Sequence, residues 1–107
     1  MPRKARDFDE TLFEILKDPE DAAAYLNEHL AYRGKDRDVL FLKALRKVVL
    51  AQGFDRIAKR SNLKRRSLDK ALSSAGNPRF STLSSLLEAV GLQVMVGSKP
   101  RKGSRAA

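Results

Sequence analysis

The stretch FDRIAKRSNLKRRSLDKALS, residues 54–73, decides how this chain is read. Two short helical patterns flank a break at Ser61-Asn62-Leu63, and the second opens with Lys64, Arg65 and Arg66. Ile57, Ala58, Leu63, Leu68, Ala71 and Leu72 recur where two helices crossing at a steep angle must bury side chains against each other. Ala58 is small, as a close crossing requires. Asn62 falls where the turn calls for a left-handed backbone, which asparagine tolerates better than most residues with a side chain. The pattern is that of a helix-turn-helix, whose second helix lies in the DNA major groove. It predicts DNA binding.

The charge distribution points the same way. The chain of 107 residues has a formal net charge of +9, which suggests a polyanionic partner. Between Arg56 and Lys70 lie Arg56, Lys59, Arg60, Lys64, Arg65, Arg66 and Lys70, opposed only by Asp69. An acidic run, Asp18, Glu20 and Asp21, stands well away from them in the sequence. Cysteine is absent, which excludes disulfides, thiol catalysis and zinc fingers and fits a reducing cytoplasm. The expected location is cytoplasmic, on the nucleoid when DNA is bound. MPRKARDFDE at the N-terminus is basic but leads into no apolar run, so it does not read as a secretory signal. The longest apolar segment, residues 39–51, is interrupted by Lys43, Arg46 and Lys47 and cannot span a bilayer.

Working outward gives an all-α expectation: about five helices, a central helix-turn-helix and a short C-terminal β-strand. Residues 1–17 read as a lead-in, 18–96 as one domain of modest core, and 97–107 as a disordered basic tail. Asp18-Pro19-Glu20-Asp21 is a helix start with cap, proline and acids in order. That helix should run to about Tyr32 with Ala22, Ala23, Leu26 and Leu30 buried, and stop at Gly34. The next should begin near Asp36 or Asp38 and end at Gly53, with Phe41, Leu42, Leu45, Val48 and Val49 on one face. Leu40 and Leu50 fall outside that face and need other cover. Ser81 or Thr82 should cap a last helix bearing Leu83, Leu86, Leu87 and Val90 and ending at Gly91. Leu92-Gln93-Val94-Met95-Val96 alternates like a strand, and must pair with the N-terminal segment or with a second subunit. Tyr25, Tyr32, Phe41, Phe54 and Phe80 are spaced as core residues.

On the second helix of the unit, Leu68, Ala71 and Leu72 face inward, so Arg66, Lys70 and Ser73 project outward. Arg65 and Asp69 lie on one shoulder and Ser67 on the other. Arg66 is the candidate for bidentate contact with guanine, and Arg65 and Ser67 could meet a base edge or a phosphate. Asp69 either accepts from cytosine or orients a neighbouring arginine, and an Arg65–Asp69 pair four residues apart is the plain alternative. Arg56, Lys59, Arg60, Arg79, Ser81, Thr82 and Lys64 are candidates for phosphate contact or cap positions beside it. His29 is the sole histidine and cannot build a metal site alone. No glycine-rich phosphate loop, no nucleophile near a histidine and no paired carboxylates in an apolar setting occur, so neither enzyme activity, cofactor nor metal is expected.

Three further stretches carry a resemblance. They are LKDPEDAAAYLNE at 16–28, ALRKVVLAQG leading directly into the helix-turn-helix, and GNPRFSTL followed by GLQVMV. Over about residues 8–96 the chain resembles the addiction-module antidote proteins, the HigA-like antitoxins with a Cro-type helix-turn-helix. Lys64, Asn62, Arg66 and Asp69 depart from that family's usual residues. The resemblance implies a small repressor of its own promoter, often encoded beside a RelE-like toxin.

The expected function is thus a sequence-specific repressor, double-stranded DNA its partner, acting as an antitoxin. The alternatives are an orphan prophage-type regulator without a toxin and a non-specific basic nucleic-acid binder. A homodimer on an inverted repeat is expected, with Leu92, Val94 and Val96 as dimer surface. A toxin would dock away from the groove, at residues 8–32.

Overall fold

Proline, glycine and asparagine divide the chain into helices. The computed structural model describes residues 10–100, and among these the elements are α1 (residues 10–16), α2 (Pro19–Ala31), α3 (Arg37–Gln52), α4 (Phe54–Arg60), α5 (Arg65–Ala71) and α6 (Phe80–Ala89). Asp18 caps α2 as its sequence predicts: the carboxylate accepts from the Glu20 amide at 2.8 Å, with Pro19 at the first helical position. α3 stops at Gly53, whose φ of 108° suits a residue without a Cβ and whose amide donates to the Val49 carbonyl at 2.9 Å. The same glycine is the N-cap of α4, so one residue separates the two helices.

Helix α3 forms the spine of the core. It buries Phe41, Leu42, Ala44, Leu45, Val48 and Val49, adding Ala44 to the expected face. α2 packs against α3 through Ala22 and Leu26, and α4 packs against α3 while also meeting α5 and α6. Leu16, Ile57, Leu68, Leu72, Leu86 and Val90 complete one hydrophobic cluster. Gln52 ties the ends of three elements, donating to the Val90 carbonyl at 3.1 Å and the Leu16 carbonyl at 3.5 Å. Both α4 and α6 end in the same motif. Leu63 donates to the Ala58 carbonyl after Asn62, and Leu92 donates to the Leu87 carbonyl after Gly91. In each, the residue after the cap is left-handed, Asn62 at φ 60° and Gly91 at φ 93°, and the leucine beyond folds back onto the helix it follows.

Several expectations are corrected. No β-strand forms among the described residues: 92–100 have no regular secondary structure. A strand needs a neighbouring edge, and the described part of the chain has none. Val94, Met95 and Val96 are left 43%, 80% and 95% exposed. The count of about five helices rises to six, because the stretch assigned as a lead-in is helical over residues 10–16 and buries Leu16 fully. Leu30 and Tyr32 are about half exposed, since they lie at the end of α2 past the cover of α3. Phe80 is 69% exposed because it opens α6, ahead of the part that meets the core. Leu40 is half-buried and Leu50 exposed. Residues 1–9 of the expected lead-in and 101–107 of the expected tail lie outside the described residues.

Candidate nucleic-acid interface

Helix α5 has seven residues, too few to be stable alone, so tertiary burial of Leu68 and Leu72 holds it. With those two turned inward, Arg65, Arg66, Ser67, Asp69 and Lys70 are all exposed. Ala71, half-buried, flanks the inward face. Lys64 stands at the N-cap with an extended backbone and makes no side-chain cap bond. The turn that precedes it is fixed from α4: Ser61 is buried and its hydroxyl donates to the Ile57 carbonyl at 2.7 Å. Asn62 then takes the left-handed conformation its sequence position predicts.

The ion pairs on this surface differ from the expected one. Asp69 does not pair with Arg65. It accepts from Arg46 of α3 at 2.8 Å, and Arg65 instead donates to Asp55 of α4 at 2.9 Å. Both arginines stand near the ring of Phe54, its centre 5.9 Å from the Arg46 guanidinium carbon and 5.5 Å from that of Arg65. Arg46, Leu50, Phe54, Arg65, Arg66 and Asp69 line an open depression of about 550 Å³. Arg66 has no ion-pair partner among the described residues. The geometry therefore leaves Arg66, Lys64 and Lys70 with unneutralised charge, while two other arginines are held by carboxylates.

The remaining predicted residues divide. Arg56 and Lys59 are exposed on α4. Arg60 donates to the Ala89 carbonyl at 3.4 Å, which occupies one of its nitrogens at the C-terminus of α6. The Ser73 hydroxyl donates to the Lys70 carbonyl at 2.9 Å. Neither Ser81 nor Thr82 caps α6. The cap falls two residues before Ser81, at Arg79 and with no side-chain cap bond, which puts Ser81 and Thr82 inside the first turn. Leu92, Val94 and Val96 follow α6 on the extended segment. Leu92 is half-buried, whereas the two valines are exposed. Val94 borders an apolar groove of about 570 Å³ whose other wall includes Leu26, Leu30 and Phe41.

Sequence reasoning missed Arg46, Phe54 and Asp55. Arg46 and Asp69 are 23 positions apart, and no local pattern links them. His29 serves helix packing: Nδ1 lies 2.9 Å from the Tyr25 carbonyl, so that nitrogen carries the proton, and the ring meets Tyr25 edge-on at 4.8 Å. Among the described residues no cluster of three or more His, Asp or Glu side chains could hold a metal ion. No described helix is long and apolar enough to cross a membrane.

Comparison with known proteins adds a family. The chain is 36% identical over 96 residues to an uncharacterized protein of Haemophilus influenzae, covering 90% of this chain and 94% of that one. No solved structure matches it. Residues 4–98 match the family model described as "Probable addiction module antidote protein". With most of its length inside that match, the chain belongs to the addiction module antidote protein family.

Proposed function

We propose that this protein is the antitoxin of a toxin–antitoxin module and a sequence-specific repressor of its own promoter. In this reading α4, the Asn62 turn and α5 are a Cro-type helix-turn-helix of the HigA-like kind. The observation that carries it is the pairing of a firmly seated α5, with Leu68 and Leu72 buried, to an outward face bearing Arg66 and Lys70, which have no ion-pair partner among the described residues. A helix anchored on one side and cationic on the other suits insertion into a groove walled by phosphates.

Arg66 then reads guanine O6 and N7, and Ser67 meets a base edge or phosphate. Lys64, Lys70, Arg56, Lys59 and Arg79 neutralise phosphates, with Ser81 and Thr82 donating from the start of α6. Such contacts fix register and carry no sequence information. A homodimer joined through Leu92, Val94 and Val96 places two α5 helices on an inverted repeat and blocks polymerase by covering the promoter. The apolar side chains of Val94 and Val96, exposed on the segment after α6, are the feature that favours such joining, because a second copy would cover them. The toxin, RelE-like in this reading, docks on the side of α2 away from α5.

The reading is tested by Arg66→Ala. Loss of affinity for the preferred operator with little change on random duplex is the expected result. Equal losses on all DNA contradict base reading by α5.

A further inference from the structure

We propose that Arg46, on α3 and outside the two-helix unit, is a base-reading residue of the same surface, and that Asp69 is the residue that positions it. This rests on the DNA-binding reading above and adds a specificity residue to it. Arg46 borders the same depression as Arg65 and Arg66, although it comes from a different part of the chain. Its guanidinium donates to Asp69 Oδ1 at 2.8 Å, and its central carbon stands over the Phe54 ring, 5.9 Å from the ring centre. It is also the more sheltered of the two paired arginines, 36% exposed against 72% for Arg65.

Charge decides what such an arginine is suited for. A phosphate contact draws on net positive charge, and a carboxylate 2.8 Å away cancels most of it. Hydrogen-bond donation does not depend on net charge in that way. The guanidinium has five N–H groups, and one bond to Asp69 leaves the others available. A planar head biased by its carboxylate partner and carrying little net charge is a poor phosphate anchor and a good match for the paired acceptors of guanine. The pairing also explains how a carboxylate is accommodated on the helix that faces the groove. Asp69 would repel phosphate if it stood alone, and within the pair its charge is offset.

The test uses the full chain and a duplex selected by the wild-type protein from a random-sequence library, against a scrambled duplex of the same length. Arg46→Ala lowers affinity for the selected duplex by about ten- to a hundredfold, leaves the scrambled duplex unchanged and leaves the salt dependence of binding unaltered. Asp69→Asn lowers the selected-to-scrambled ratio from the other side. It releases Arg46 to phosphate, raises affinity for scrambled DNA and steepens the salt dependence by up to about one phosphate. Asp69→Glu restores part of the ratio. Arg46→Lys keeps the charge and loses the planar fork, so it behaves like Arg46→Ala on the selected duplex. Thermal melting of each variant confirms that it is folded. Equal loss on both duplexes, or an unchanged ratio in Arg46→Ala, overturns the proposal while leaving the repressor reading in place. Failure of the wild-type protein to enrich any sequence from the library overturns both.

Discussion

The guanidinium of Arg65 on α5 donates to the carboxylate of Asp55 on α4 at 2.9 Å, bridging the two helices across the Asn62 turn. Both side chains are more than 70% exposed, so solvent screens the pair. Asp55→Ala is expected to cost less than about 1 kcal/mol of stability in chemical denaturation. It also frees Arg65, so affinity for DNA of any sequence rises slightly at low salt. A large loss of stability would show that the bridge, rather than the leucines beneath it, holds α5.

Those leucines carry the helix. Leu68 is fully buried in a seven-residue helix that has no N-terminal side-chain cap bond. Leu68→Ala should destabilise the protein by about 2–5 kcal/mol, a large share of the roughly 5–15 kcal/mol typical of a small domain. Denaturant midpoints measure it directly, and a change below that range would mean that α5 is only loosely attached.

At Asn62, φ is 60°. Asn62→Val places a β-branched residue in the left-handed region and should cost about 1–2 kcal/mol, whereas Asn62→Gly should be close to neutral. Thermal unfolding of the two variants side by side separates the backbone effect from loss of the side chain, because both remove the amide.

Much of this arrangement was legible in the sequence. Asp18, Gly53 and Asn62 announce helix ends through local chemistry, and the apolar stripe of α3 follows from its period alone. What failed depended on contacts distant in sequence. Asp69 looked closest to Arg65 along the helix, yet the long Arg46 side chain reaches it from α3, 23 positions away in sequence. Residues 92–96 alternate as a strand does, but pairing requires a second edge, and alternation cannot supply one. Phe80 and Tyr32 have core composition but stand at helix ends, where burial depends on what lies beyond.

That exposed segment yields a prediction on assembly. On the proposed homodimer, Val94→Lys combined with Val96→Lys should leave the fold intact, since both valines are exposed, and give a monomer in sedimentation where the unaltered protein gives a dimer. A variant that remains dimeric would place the dimer surface elsewhere.

Burial, and secondarily the nearby Glu28 carboxylate, raises the Tyr25 hydroxyl above its ordinary value of 10.0. The folded protein therefore retains this proton at pH values where the unfolded chain has lost it. The contribution is fully present below the unfolded value and disappears as pH rises through the raised folded one. Stability should decline above about pH 10, and Tyr25→Phe should flatten that decline in denaturation curves collected across the range.

The most direct test is footprinting of the purified protein on the DNA upstream of its own gene at physiological salt. Protection of an inverted repeat, with two half-sites about one helical turn apart, is the predicted result. Uniform protection without a preferred site would contradict sequence-specific repression and leave a binder driven by the net charge of +9.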